Sequence, residues 1–314
     1  MRVRFRYGPN MRLSTAAHTA LRRVVSFPRG ADLPNGEYVE LPGRGTTYAA
    51  RIDGPPGAPT LFLIHALACT ANLTWFPSIA TLREHYNLVL MDMRWHGRGI
   101  SDGQFFRLSD CADDIAALAD VWGIDNFIPV GYSMGGVIAQ LVWRRHPEKV
   151  SGMVLCSTAA KWDDSRRERA FFMLLPTVTV SMALRRRIPT PRLTDEARMV
   201  LTADTEDSEV RRWALAEFRS TRMANVIAAL NAVGHFNSTP WLPEIDVPTS
   251  VVITDKDNWV PTRRQRQMAA AIPGAEIFEC HRSHAACVIG AEDFLPPLLK
   301  ALESVVARQQ SAAA

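Results

Sequence analysis

The chain has little cysteine, no long apolar run and almost no excess of charge of one sign. Its five cysteines, at 69, 111, 156, 280 and 287, are too few and too scattered for a disulfide framework. No run reaches the roughly 18 apolar residues of a membrane span, and the basic N-terminus lacks the apolar stretch of a signal peptide. The net charge of the 314 residues is only +4, so no nucleic-acid partner is expected. We expect a cytoplasmic protein with reduced thiols, and leave open peripheral membrane contact and the oligomeric state.

Hydrophobic residues make up 47% of the chain and charged residues 22%, which favours a large core over disorder. Near-continuous apolar runs alternate with helical stretches, and such runs are typical of parallel strands covered on both faces. The pattern therefore predicts an α/β fold with a mostly parallel central sheet flanked by helices. Strands are predicted at 38–41, 46–52, 60–64, 87–91, 127–130, 153–156, 250–253 and 276–279, and helices at about 109–122, 134–146, 262–271 and 291–308.

The alternation fails between about 160 and 243, where no clear strand is visible. We expect a helical cap at 161–243, inserted into a core formed by 37–160 and 244–314, with a basic N-terminal extension at 1–36. The apolar run 170–175 lies between arginine clusters at 166–169 and 185–187. It is interpreted either as a contact for lipid or a long acyl chain, or as an amphipathic lid helix that packs over the core. Phe172 and Leu175 are the side chains expected to contact substrate.

Residues 131–136 read GYSMGG, between an apolar strand and a helical run. A strand, a sharp turn that carries serine, and a helix form the nucleophile elbow; the alternative is a plain glycine-rich turn. Serine is a weak nucleophile that needs a base, and the base needs an acid to orient it. After Ser133, the loop that follows the strand at 250–253 supplies Asp255 and Asp257, and the later histidines are His281 and His284.

With these motifs the sequence resembles the α/β-hydrolase family over nearly all of residues 37–308 apart from the cap. In that family the acid loop commonly reads G-x-x-D followed by an apolar pair and Pro. Here it reads TDKDNWVP, so Thr254 stands where Gly is usual and Asp257 takes the acid position. The family's histidine usually follows a glycine; Ser283 stands in that place, which favours His284. The resemblance therefore implies a triad of Ser133, Asp257 and His284, with Asp255 and His281 kept as alternatives.

The resemblance also implies an oxyanion hole formed by the backbone N–H groups of Leu67 and Met134. Many members carry His-Gly-X in the first of these loops, whereas here it reads His65-Ala66-Leu67. If the second position needs an unusual backbone angle, Ala66 strains the loop. His65, and His96 in the segment MDMRWHGRGISD at 91–102, are interpreted as structural residues.

Four zinc-ligand types occur close together, at Cys280, His281, His284 and Cys287. Structural zinc sites usually bring a second pair of ligands from farther along the chain, so no metal and no cofactor are expected. A serine nucleophile argues against the dehalogenases and epoxide hydrolases of the family, which use aspartate. The predicted function is a serine hydrolase, esterase- or lipase-like, that cleaves small carboxylic esters with apolar acyl or alcohol groups. Lactonase, thioesterase, amidase, C–C bond hydrolase and cofactor-free haloperoxidase chemistry stay open, as does transfer to an alcohol, or a non-enzymatic receptor or scaffold.

Overall fold

The computed structural model describes residues 33–101, 105–184 and 208–313. Most of the predicted N-terminal extension, residues 1–32, and the second arginine cluster at 185–187 lie outside the described residues. All five cysteines lie within them and are free thiols. In these parts of the chain, no helix combines the length and apolar character needed to cross a membrane.

Within the described residues, eight strands form one mixed sheet in the order β1-β2-β4-β3-β5-β6-β7-β8. The strands are β1 (Glu37–Leu41), β2 (Gly45–Ile52), β3 (Thr60–Ile64), β4 (Asn87–Met91), β5 (Ile128–Tyr132), β6 (Met153–Cys156), β7 (Thr249–Thr254) and β8 (Glu276–Cys280). Strand β2 pairs antiparallel with β1 and with β4, and every other neighbouring pair is parallel. The predicted α/β class with a mostly parallel sheet is confirmed.

The helices cover both faces of the sheet or lie in the predicted cap. They are α1 (Ala71–Leu82), α2 (Leu108–Val121), α3 (Met134–Arg145), α4 (Arg166–Leu184), α5 (Ser208–Arg219), α6 (Met223–Gly234), α7 (Thr262–Ala271) and α8 (Ala291–Ala313). Short 3₁₀ turns occur at Pro147–Lys149 and Leu242–Glu244. Helices α4, α5 and α6 fall in the stretch where no strand is predicted.

Helix α1 corrects the sequence analysis, which predicts no helix between β3 and β4. Thr70 caps it, since its Oγ1 accepts a hydrogen bond from the Leu73 N–H at 3.1 Å, and such a cap is a regular start signal. Pro77 lies inside this helix. In the sequence it argues against a helix, because proline usually ends one. Nearly all of its side chains are buried, so the one-sided apolar period of a surface helix is absent.

The core lies on both faces of the sheet. Along β3, Leu61 and Leu63 pack into one hydrophobic cluster, while Phe62 and Ile64 pack into the other. Successive side chains of a strand point to opposite faces, so a central strand that is covered on both sides must be apolar throughout. This explains the continuous apolar runs that the sequence shows.

Polar side chains dock helices α5 and α6 onto the loop after β4. Glu217 of α5 accepts two hydrogen bonds from the Arg98 guanidinium, at 2.9 and 3.1 Å. Thr221 accepts one from the backbone N–H of Gly97 at 3.0 Å. Asn225 of α6 donates to a backbone carbonyl of the same loop. Helices α5 and α6 therefore sit against the carboxyl end of the sheet, where ligands bind in open α/β folds.

Candidate active site

Ser133 lies at the sharp turn between β5 and α3. Its backbone has φ 54° and ψ −114°, and a positive φ on a residue with a Cβ atom is strained by about 1–2 kcal/mol. The turn is held by two backbone hydrogen bonds, from the Ser133 N–H to the Cys156 carbonyl and from the Gly136 N–H to the Ser133 carbonyl, each 2.9 Å long. The side chain is placed at the N-terminus of a helix, where backbone N–H groups and the helix dipole favour negative charge.

The glycines around Ser133 are required by close backbone approaches. A Cβ atom on Gly131 would lie 2.2 Å from the carbonyl oxygen of Gly135. A Cβ atom on Gly135 would lie 2.2 Å from the carbonyl oxygen of Ile64, at the end of β3. Side chains at these two positions would push the turn away from the sheet. The pattern GYSMGG is therefore an elbow pressed against β3, and the reading as a plain surface turn is wrong.

The structure brings Ser133, His284 and Asp257 into one hydrogen-bonded line. The Ser133 Oγ lies 2.9 Å from His284 Nε2, and His284 Nδ1 lies 2.7 Å from Asp257 Oδ2. Because a carboxylate can only accept hydrogen bonds, the neutral imidazole carries its proton on Nδ1. The free lone pair of Nε2 then faces the serine hydroxyl. This is the arrangement of a nucleophile, a base and an orienting acid.

The Asp257 carboxylate is buried and held by five hydrogen bonds, of which the one from Gln265 Nε2 to Oδ2 is the longest at 3.4 Å. Oδ1 accepts from the backbone N–H groups of Trp259 and Val260, each at 2.8 Å. Oδ2 accepts from the Thr254 hydroxyl at 2.7 Å as well as from His284. These bonds compensate the charge for its loss of water. They also fix the carboxylate toward the imidazole.

The alternative acid and the alternative histidine bind each other instead. Asp255 Oδ2 lies 2.6 Å from His281 Nδ1, and the His281 side chain is 71% exposed. The zinc-ligand types of this segment also point apart, since Cys280 and Cys287 are buried in the core. In the described parts of the chain, no group of three or more His, Cys, Asp or Glu side chains is arranged to hold a metal ion.

The two expected oxyanion donors lie in different elements. Met134 is the first residue of α3, and Leu67 lies in the loop after β3. Among the described residues, neither backbone N–H donates to a backbone carbonyl. In the loop that carries Leu67, the residue with a positive φ is Ala68, at 62°, and not Ala66. The methyl group of Ala66 therefore causes none of the backbone strain that the sequence analysis raises.

His65 and His96 are buried in the wall beside this loop. His65 Nδ1–H donates to the Ala66 carbonyl at 2.7 Å, and Nε2 accepts from the Met93 N–H at 2.9 Å. Burial lowers the pKa of His65 to about 4. Burial, together with the neighbouring His65, lowers the pKa of His96 to about 3. Both rings are therefore neutral near pH 7, and the bonds of His65 tie the Leu67 loop to the loop after β4.

The two expected substrate contacts of the cap lie on the buried side of α4. Phe172 packs on α6, since a Cβ atom on Gly234 would lie 2.1 Å from its ring, and Leu175 is buried as well. Phe171, Met173 and Leu174 are exposed instead. This part of the helix is therefore apolar on its exposed side as well as on its buried side, and both interpretations of the run stay open.

Sequence reasoning missed three residues that support the site. Gln265 of α7 is fully buried; its side chain accepts from the Thr254 N–H at 3.1 Å and donates to the Val260 carbonyl at 2.8 Å. The Tyr132 hydroxyl donates to the His284 carbonyl at 2.8 Å. The Thr254 hydroxyl bonds the acid, although the sequence shows it only as a departure from glycine. Helix α7 carries a second glutamine, Gln267, so no signal in the sequence distinguishes Gln265.

Comparison with protein families gives an independent line of evidence. Residues 59–290 match the family model described as alpha/beta hydrolase fold. The protein named "Putative carbamate hydrolase RutD" from Serratia proteamaculans is 28% identical over 270 residues, which cover 82% of this chain and 92% of that protein. A poly(3-hydroxyalkanoate) depolymerase from Ectopseudomonas oleovorans is 25% identical over 272 residues, covering 84% of this chain and 91% of that protein.

The fold is also similar to solved structures. The esterase EaEST from Exiguobacterium antarcticum superposes with a TM-score of 0.69 and 19% sequence identity, covering 85% of this chain and 98% of that one. At this level of identity the likeness concerns the fold. What such folds do depends on the side chains at the site, and those are the ones described above.

Proposed function

The chain belongs to the alpha/beta hydrolase fold family and is a hydrolase of that fold, and from this premise we propose that it is a serine hydrolase of carboxylic esters with apolar acyl or alcohol groups. One observation carries the proposal: Ser133, His284 and Asp257 are joined by hydrogen bonds of 2.9 and 2.7 Å at the elbow. Its substrate is a small molecule, and the residues named need no cofactor for this reaction.

The proposed reaction runs in two halves. The Ser133 Oγ attacks the ester carbonyl carbon while its proton moves to His284 Nε2, and the Asp257 carboxylate stabilises the imidazolium. The N–H groups of Leu67 and Met134 bind the oxyanion of the tetrahedral intermediate. His284 then donates its proton to the leaving alkoxide, and an acyl-serine remains. A water molecule gives a proton to Nε2 as it attacks the acyl group, and the acid is released when Oγ takes that proton back.

The cap is proposed to set the preference for the acyl group. The position of α5 and α6 at the carboxyl end of the sheet supports this role, as does the apolar run 170–175 of α4. Phe172 and Leu175 are the proposed contacts, acting from the buried side of the helix. A buried methylene contributes roughly 0.8 kcal/mol, so two more carbons in the acyl chain should raise kcat/KM about tenfold.

The test compares p-nitrophenyl esters with acyl chains of two to eight carbons in the wild type and in Ser133→Ala. We expect kcat/KM to rise with chain length in the wild type. The variant should lose on the order of 10⁴-fold or more while its circular dichroism stays unchanged. Undiminished turnover by folded Ser133→Ala would exclude the proposed nucleophile. A flat chain-length series would exclude the apolar acyl site.

Carbamate hydrolysis is the second candidate, favoured by the 28% identity to RutD. The same serine and oxyanion donors can act on a carbamate carbonyl, so the triad does not separate the two substrates. Ethyl carbamate and ethyl acetate, assayed side by side, distinguish them. A kcat/KM at least tenfold higher for the carbamate would make it the better description of the substrate.

A further inference from the structure

An exposed tryptophan lies beside the imidazole of His284. The Trp259 indole is 52% exposed, and its ring centre lies 6.4 Å from that of His284, with 32° between the two planes. A single exposed apolar side chain is ordinary on a protein surface, so it is the position of Trp259 beside the reacting imidazole that singles it out. Nothing in the reaction described above uses this side chain.

The backbone of Trp259 is fixed although its side chain is open. Its N–H donates to Asp257 Oδ1 at 2.8 Å, so the loop that orients the acid also sets the position of the indole. The other aromatic neighbour of His284 is Tyr132, which is fully buried at a centroid distance of 5.9 Å. Of these two rings, only that of Trp259 is exposed to an arriving molecule.

The proton transfer from His284 determines which part of the substrate lies against the Trp259 ring. His284 Nε2 delivers its proton to the leaving oxygen, so the leaving group must pass within hydrogen-bond reach of the imidazole. The acyl carbon is meanwhile bonded to Ser133, and its oxygen points to the N–H groups at the start of α3 and in the Leu67 loop. The group next to His284, and hence next to Trp259, is the alcohol part of the ester.

We propose that Trp259 is a specificity-determining residue that stacks on the alcohol part of the substrate and selects flat, apolar alcohols such as benzyl over small alkyl alcohols. Offset stacking of two rings stabilises the pair beyond the burial of its area. The indole also covers one side of the leaving group, which excludes water from it. The inference rests on the proposed serine hydrolase function and deepens it by naming the class of alcohol.

The test compares benzyl butyrate with ethyl butyrate, which share the acyl group and have leaving alcohols of similar basicity. We expect the wild type to prefer the benzyl ester at least tenfold in kcat/KM. Trp259→Ala should reduce that preference about tenfold, and Trp259→Phe should keep most of it. The ratio of ethyl butyrate to ethyl acetate should stay unchanged in both variants, since the acyl side is untouched.

Tyr38→Ala is the matched control. It removes an aromatic ring that is 67% exposed on the edge strand β1, which five other strands separate from β7 in the sheet order. It should leave both ratios unchanged. If Trp259→Ala lowers the benzyl and ethyl rates equally, or alters neither, the proposal is overturned. If Ser133→Ala loses all turnover but Trp259→Ala keeps the wild-type benzyl-to-ethyl ratio, the role of Trp259 is refuted and the serine mechanism stands. Turnover that survives Ser133→Ala would refute the hydrolase mechanism itself.

Discussion

Replacing Glu217 with alanine tests whether helix α5 of the proposed cap is held by a buried ion pair. The Glu217 carboxylate accepts from Arg98 Nη1 and Nη2 at 3.1 and 2.9 Å, and from the Thr70 hydroxyl. Thr70 caps α1 directly after the loop that carries Leu67. The residue therefore joins cap helix α5 to the element that positions a proposed oxyanion donor.

The expected loss follows from burial. Removing one partner of a buried ion pair costs roughly 3–5 kcal/mol, but the Arg98 side chain is 31% exposed and keeps its second partner, Asp92, at 3.1 Å. We therefore expect Glu217→Ala to lower the free energy of unfolding by about 2 kcal/mol. Glu217→Gln, which retains an acceptor oxygen, should lose less. The kcat/KM of Glu217→Ala should fall as well, since Thr70 loses its partner.

The assay is urea denaturation followed by circular dichroism, with kcat/KM measured on the same preparations. The control is Glu244→Ala, which breaks an ion pair with Arg144 in which both side chains are about half exposed. Pairs of that kind contribute about 0–1 kcal/mol. The reasoning is refuted if Glu217→Ala is no less stable than Glu244→Ala, or if it loses stability with no change in kcat/KM.

Two further predictions concern the acid and a buried histidine. Asp257→Asn should lower kcat on the order of 10⁴-fold, whereas Asp255→Asn should change it little because Asp255 binds the exposed His281; the opposite order of effects, in steady-state assays of folded variants, would contradict the proposed acid. Burial lowers the pKa of His65 from 6.5 to about 4, so on acidification the unfolded chain binds this proton before the folded protein does. The free energy of unfolding therefore decreases as the pH falls from about 6.5 to about 4. At roughly 1.36 kcal/mol per pH unit, the total loss is about 3 kcal/mol. Urea titrations between pH 7 and pH 4 should show a shallower loss in His65→Gln than in the wild type, and equal slopes would refute the linkage.

The sequence by itself determined the features that depend on neighbouring residues. All eight strands are predicted within two residues of their observed ends, because burial on both faces makes each strand continuously apolar. The elbow is predicted from GYSMGG because one of its constraints is local: the closest atom to a Cβ on Gly131 belongs to Gly135, four residues away. Helix α1 was missed because it is buried nearly all round and so carries no one-sided pattern.

Only the tertiary structure decided which histidine lies beside Ser133 and which acid binds that histidine. Asp255 and Asp257 are two residues apart in one loop, and His281 and His284 are three apart in another, so the local patterns differ little. The choice depends on a meeting of chain segments 27 and 151 residues apart, at the shared carboxyl edge of β5, β7 and β8. The buried hydrogen bonds of Gln265 and the exposure of the Trp259 ring beside His284 depend on the same packing. No local pattern encodes them, because each arises from contact between elements that are distant along the chain.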